Sequence, residues 1–177
     1  QVNMNFWECT LYQGTYALND MVSLTSESEF TSGYIADEDN DGEIDINEDG
    51  SIKGEIPQYI RLEDGTNWIA VTNLTQTFRR LSELTISPVI PETAITLKGT
   101  FCDTDIIETK AIPKGVVDMN GTFGRCYNLE VAPELPDTVK DMTSTFYECS
   151  NLKVVGEIPD SVILMSSTFY YCTSLEI

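Results

Sequence analysis

The stretch M-T-S-T-F-Y-E-C-S-N-L-K-V, residues 142–154, decides the fold, because the chain repeats it. The next copy, M-S-S-T-F-Y-Y-C-T-S-L-E-I, occupies 165–177. Working outward from these copies, Thr-Phe pairs end at Phe78, Phe101, Phe123, Phe146 and Phe169, in steps of 23, 22, 23 and 23. Leu74, Leu97, Met119, Met142 and Met165 each stand four residues before that Phe. Leu84, Ile107, Leu129, Leu152 and Leu175 follow six after it, and Pro91, Pro113, Pro136 and Pro159 follow 12 or 13 after it. The short step falls between Phe101 and Pro113, where one residue is missing. Cys126, Cys149 and Cys172 keep the same period. Columns in phase over several copies are the mark of a stacked repeat.

Each unit has two halves. In 142–152 apolar residues fall at offsets 0, 4, 7 and 10, a helical spacing, which predicts one or two helical turns. The second half reads L-x-V/I, as in Leu129/Val131 and Leu152/Val154, which predicts a short strand that a proline ends. A unit this small cannot bury its own apolar face. Stacked copies can, with parallel strands about 4.8 Å apart. Phe, Met, Leu and Cys at fixed positions are expected to form a core ladder, the cysteines as reduced thiols.

The phrases T-F-Y-E-C-S-N-L, E-I-P-D-S-V and M-S-S-T-F-Y-Y-C-T-S-L resemble BspA-like leucine-rich repeats of bacterial surface proteins. The resemblance covers residues 71–177. It implies an α/β chain wound as a right-handed leucine-rich-repeat solenoid, exported to the bacterial cell surface and engaged in adhesion. Two departures stand out: Leu81 holds the cysteine position of the first unit, and Cys102 lies two places early in the second. The last unit stops at Leu175-Glu176-Ile177, so it reads as a fragment or as a coil paired with something else.

Charge and composition exclude whole classes. Lys plus Arg is 10 against 29 Asp plus Glu, a net −19, which repels phosphate and disfavours nucleic acid and anionic membrane surfaces. There is no histidine, which removes Ser-His-Asp and Cys-His catalysis and His-ligated metals. No run of 18 apolar residues is present, so no membrane insertion is expected within this chain. No signal peptide is read, and a start at Gln1 rather than Met reads as a trimmed form.

Residues 1–70 carry no repeat and hold 15 acidic residues against Lys53 and Arg61, which is −13 of the −19. They are expected to form a small β-rich cap over the first coil. Inside lies D-E-D-N-D-G-E-I-D-I-N-E, residues 37–48, with the spacing of an EF-hand-type calcium loop. Asp37, Asp39 and Asp41 fill positions 1, 3 and 5, and Gly42 gives the sharp turn. Glu43 offers its backbone carbonyl, Asp45 ligates directly or through water, and Glu48 can ligate with both oxygens. Ile44 points inward. The flanks do not read as helices, so structural Ca2+ of the extracellular kind is expected. A solvated acidic turn is the alternative. The overlapping half-motif Asp45-x-Asn47-x-Asp49-Gly50 lacks a final carboxylate.

No nucleotide or dinucleotide fingerprint is present, and carboxylate pairs such as Asp103 and Asp105 read as solvated surface, so no enzyme is expected. The expectation is a binding module for a host or matrix protein or glycan, through Tyr127, Tyr147, Tyr170 and Tyr171. The alternative is a structural subunit of a surface filament or wall layer, self-associating through a solenoid end.

Overall fold

The computed structural model describes residues 44–56, 58–61 and 68–176. Among the described residues two strands are present, β1 (Tyr59–Arg61) and β2 (Trp68–Ala70), paired antiparallel with Tyr59 opposite Ala70. Downstream of them the chain runs as five coils, each centred on one of the repeated phenylalanines. Parallel bridges join the coils in two rows. One row runs Asn73–Thr96–Asp118–Asp141–Leu164, and the other contains Ile86–Glu108 and Val131–Val154. The steps match the sequence period. Each bridge is one residue wide, because the chain leaves it for a tight turn or a proline on either side. Among the described residues no helix is long and apolar enough to cross a membrane.

The Thr-Phe half is not helical among the described residues. It is a run of turns, with alternate N–H groups divided between two partners. Thr77, Arg79 and Leu81 donate back three residues to Leu74, Gln76 and Phe78. Leu74, Gln76, Phe78 and Arg80 instead donate to Thr96, Lys98, Thr100 and Cys102 of the next coil. The third and fourth coils repeat the pattern: Met119, Gly121, Phe123 and Arg125 reach Asp141, Thr143, Thr145 and Tyr147. Positive φ breaks the helix two residues either side of the Phe. Gln76, Gly99, Gly121, Ser144 and Ser167 lie before it, and Arg80, Asp103, Arg125, Glu148 and Tyr171 after it. The N–H left over at Thr75, Asn120 and Thr143 is taken by the side-chain oxygen of Asn73, Asp118 and Asp141. The N–H groups of the arc are thereby paired through the first four coils, as burial demands.

Stacking fills the core. Phe78, Phe101, Phe123, Phe146 and Phe169 form a continuous ring column, with centroids 5.5 to 5.8 Å apart and planes within 16°. Leu74, Leu97, Met119 and Met142 line it, fully buried. The second coil departs from the expected spacing: Ile106 is buried there, whereas Ile107 is 60% exposed. The missing residue therefore lies before Ile106, and the core position shifts by one.

Threonine before each Phe is also fully buried through the fourth coil. Its hydroxyl donates to the carbonyl four residues before the preceding Phe: Thr100 to Leu74, Thr122 to Leu97, Thr145 to Met119 and Thr168 to Met142, at 2.7 to 2.9 Å. A buried hydroxyl without such a partner would cost about 1–3 kcal/mol.

The leading coil is covered by a hairpin, bridged at Ile46 and Ile52. Gly50 accepts from Thr85 and Ile86. In later coils Thr85 accepts in the same way from Ile107 and Glu108, and Glu130 from Lys153 and Val154. Gly50 thus supplies the carbonyl that a preceding coil would supply. Its φ is +84°, and a Cβ there would fall 1.8 Å from Thr85 Oγ1. Gly121 has φ +62° but open space around it. Gly121→Ala should cost only the left-handed strain, about 1–2 kcal/mol. Gly50→Ala should cost more, because it adds the overlap and loosens the cap. Chemical denaturation of both variants checks the order, and equal losses would contradict the capping role.

Candidate functional site

One edge of the coils carries the chemistry. It is built from the two residues after each Phe, which leave the core because the second has positive φ. In order along the stack these are Arg79/Arg80, Cys102/Asp103, Gly124/Arg125, Tyr147/Glu148 and Tyr170/Tyr171. The edge is cationic at its leading coils and aromatic at its trailing ones.

Asp103 sits among three guanidinium groups. Arg125 Nε lies 2.7 Å from its Oδ1, and Arg79 Nε and Arg80 Nε lie 3.8 and 4.0 Å from its Oδ2. Arg125 also donates to Oδ2 from its terminal nitrogen, at 3.3 Å. Cys102 lies beside this cluster. Burial and the Asp103 carboxylate raise its pKa, so it stays a protonated thiol and a poor nucleophile at neutral pH.

The tyrosines expected from the sequence come together. Tyr147 and Tyr170 stack at 5.2 Å with planes 12° apart, and Tyr171 meets Tyr170 edge-on at 4.5 Å. Tyr127 donates to Glu148 Oε2 at 3.5 Å. Tyr127, Tyr170 and Tyr171 are exposed, and Tyr147 is half-buried. The hydrogen bond to Glu148, with burial, raises the Tyr147 phenol, while burial and then Glu148 raise that of Tyr127. The Tyr147 and Tyr127 phenols therefore stay protonated at neutral pH.

Of the calcium-loop residues, Asp37, Asp39, Asp41 and Glu43 lie outside the described residues. Asp45 is half-buried and 3.9 Å from Lys53 Nζ, and Glu48 is exposed. Ile44 is buried with Ile52 and Ile56. Glu48 lies in the turn of the capping hairpin, between the bridged Ile46 and Ile52. Asn47 and Asp49 of the half-motif are used inside it: Asn47 Nδ2 donates to Ser51 Oγ and the Ile52 carbonyl, and Asp49 Oδ1 accepts from Ser51. Among the described residues no group of three or more acidic, cysteine or histidine side chains is placed to hold a metal.

Sequence reasoning missed the donors in the cysteine column. Cys126, Cys149 and Cys172 are free thiols. Each donates its S–H to the Phe carbonyl of the coil before, at 3.0 to 3.1 Å: Phe101, Phe123 and Phe146. Thr104 holds the column position in the second coil, but its hydroxyl donates to the Phe101 carbonyl of its own coil at 2.8 Å, not to Phe78 of the coil before. The place takes a small residue with one donor, and Thr104 in phase with the cysteines was the available signal. No family model matches the chain, and neither a curated protein nor a solved structure matches it.

Burial pushes the Cys126 thiol up to about 12 from 9.0, and Cys149 higher still. A thiol raised on folding contributes its full stability below the free-thiol value, and loses it as pH rises from 9.0 towards the folded value. Cys126→Thr, following Thr104, should therefore lose less stability between about pH 8 and pH 10 than the parent chain. Thermal unfolding at the two pH values measures this. Identical slopes in the two proteins would overturn it.

Proposed function

We propose that the chain is a non-catalytic binding protein of the bacterial cell surface, a right-handed solenoid of BspA-like leucine-rich repeats under an acidic cap. The observation that carries the binding reading is the tyrosine cluster of Tyr127, Tyr147, Tyr170 and Tyr171, exposed on one edge. The core columns consume the apolar residues, so partner choice falls to positions such as these. Amphipathic rings with protonated phenols suit contact with a host or matrix protein or glycan. Replacing Tyr147, Tyr170 and Tyr171 together by Ser should leave the thermal unfolding profile near that of the parent and weaken adhesion to host cells or matrix. Unchanged adhesion would remove this edge as the contact and favour a structural subunit of a filament or wall layer. A separate observation supports that second reading: Ile163, Leu164 and Met165 of the fifth coil are 74, 51 and 43% exposed.

Calcium belongs to the proposal as a structural ion. The residues that would hold it are Asp37, Asp39, Asp41, Glu43, Asp45 and Glu48. Binding would bring the chain into the hairpin with its carboxylates neutralised, which steadies the Gly50 contact on the first coil. Extracellular loops of this kind bind at about 10⁻⁴–10⁻³ M. Titration calorimetry should give binding heat that an Asp37→Ala/Asp41→Ala variant lacks; equal heats from the two proteins would sink the site.

A further inference from the structure

Resting on the binding reading of the tyrosine edge, we propose that Arg79 and Arg80 form an anion subsite at its leading end, and that the partner along the edge is an acidic glycan, a chain of sugar rings with widely spaced carboxylates. Charge distribution carries this. The chain holds four arginines, and three of them, Arg79, Arg80 and Arg125, converge on Asp103. Three guanidiniums around one carboxylate leave a local excess of positive charge on a chain of −19. The like charges repel one another until an anion joins them.

The three arginines are not equivalent. Arg125 occupies the carboxylate: its Nε lies 2.7 Å from Oδ1, and its terminal nitrogen donates to Oδ2 at 3.3 Å. Arg79 and Arg80 stop 3.8 and 4.0 Å from Oδ2, too far for a hydrogen bond. Arg79 Nε is buried and has no hydrogen-bond partner among the described residues. The Arg80 side chain is 74% exposed, on a residue of positive φ. Two neighbouring guanidiniums without hydrogen-bonded acceptors suit a carboxylate, whose two oxygens match the planar fork.

The rest of the edge selects a glycan over a peptide. An extended peptide is held by main-chain pairing at a free sheet edge. Here the N–H groups are already used. Those of Arg79, Cys102, Gly124, Tyr147 and Tyr170 close turns within their coils, and those of Arg80, Asp103, Arg125 and Glu148 donate to the next coil. Recognition therefore falls to side chains. Sugar hydroxyls can exchange hydrogen bonds with the phenols, and the apolar face of a sugar ring can lie on Tyr171, which is 61% exposed. Four steps of 5.5 to 5.8 Å separate Phe78 from Phe169, so an oligosaccharide, not a single sugar, spans the arginines and Tyr171. A densely sulfated or phosphorylated polymer is disfavoured, because the chain as a whole repels it. Carboxylates spaced by neutral sugars place one anion on the arginines and uncharged rings on the tyrosines.

Titration calorimetry of the whole chain tests this with an oligosaccharide of alternating glucuronate and N-acetylglucosamine, beside the same oligosaccharide with its carboxyls reduced to alcohols. The parent should bind the carboxylated form about tenfold more tightly than the reduced one. Arg79→Gln/Arg80→Gln should remove that preference and keep the affinity for the reduced form. Arg80→Gln alone, at the more exposed position, should lower the preference about threefold or more, and it decides the matter if the double variant fails to fold. Tyr171→Ser should weaken both forms alike. Binding of neither form, equal binding of both by the parent, or a preference that survives Arg80→Gln would overturn the proposal. So would polyglutamate that binds more tightly than the oligosaccharide and is lost in Arg80→Gln, which gives the edge to an acidic peptide. Adhesion is read separately: its loss in the tyrosine triple variant, with no carboxylate preference in the parent, would strike the acidic glycan and leave the binding edge standing.

Discussion

Everything in this fold depends on one constraint: a coil of 22 or 23 residues cannot satisfy its own backbone. Half of the N–H groups in the Thr-Phe arc close turns within the coil, and the other half need carbonyls from the coil beyond. Stacking is therefore a condition for forming the arc at all. The phenylalanine column then follows, because coils held by such bonds bring their rings to 5.5 to 5.8 Å. Burial of each ring contributes roughly 1.5–3 kcal/mol.

The same constraint explains the polar columns inside an apolar core. Carbonyls four residues before the Phe, and at the Phe itself, have lone pairs that point at the next coil. Threonine and cysteine reach back to fill them. Leu81 departs from the cysteine pattern for a physical reason: among the described residues no earlier Phe carbonyl stands for a thiol to address, so an apolar residue fits the first coil. Gly50 answers a related need with its own carbonyl, at the cost of a left-handed backbone.

The columns at Leu74, Phe78, Leu84 and their repeats were legible in the sequence because burial follows apolar spacing, except in the second coil, where Ile106 and not the expected Ile107 fills the core. Cys126, Cys149 and Cys172 were legible as a buried set for the same reason. The helical turn expected over 142–152 was not what formed. Offsets of 0, 4, 7 and 10 also suit a run of turns whose alternate peptides face outward, and periodicity cannot separate the two. Ser144 and Glu148 carry the difference in their positive φ, and neither residue type announces it. The role of Thr145 was hidden because its acceptor, Met119, lies 26 residues away and is defined only by the stack. Tyr127, Tyr147, Tyr170 and Tyr171 could be named from the repeat, but not how their rings meet.

How those rings meet bears on what the edge can hold. Tyr147 and Tyr170 stack along the coil axis, so each covers a face of the other and turns its rim and hydroxyl outward. Contact through this pair is then made by phenol donors and ring edges, not by broad faces. Tyr171, 61% exposed and perpendicular to Tyr170, is the ring with the most free surface. Towards the leading coils the same edge changes to Arg79, Arg80 and Arg125 around Asp103, a local excess of positive charge on a chain of −19. Guanidiniums stand at one end of the edge and phenols, which both donate and accept, at the other, with the Asp103 and Glu148 carboxylates among them. On the proposed reading, a partner along this edge must therefore present both donors and acceptors, as the hydroxyls of a glycan or the amides of a polypeptide do.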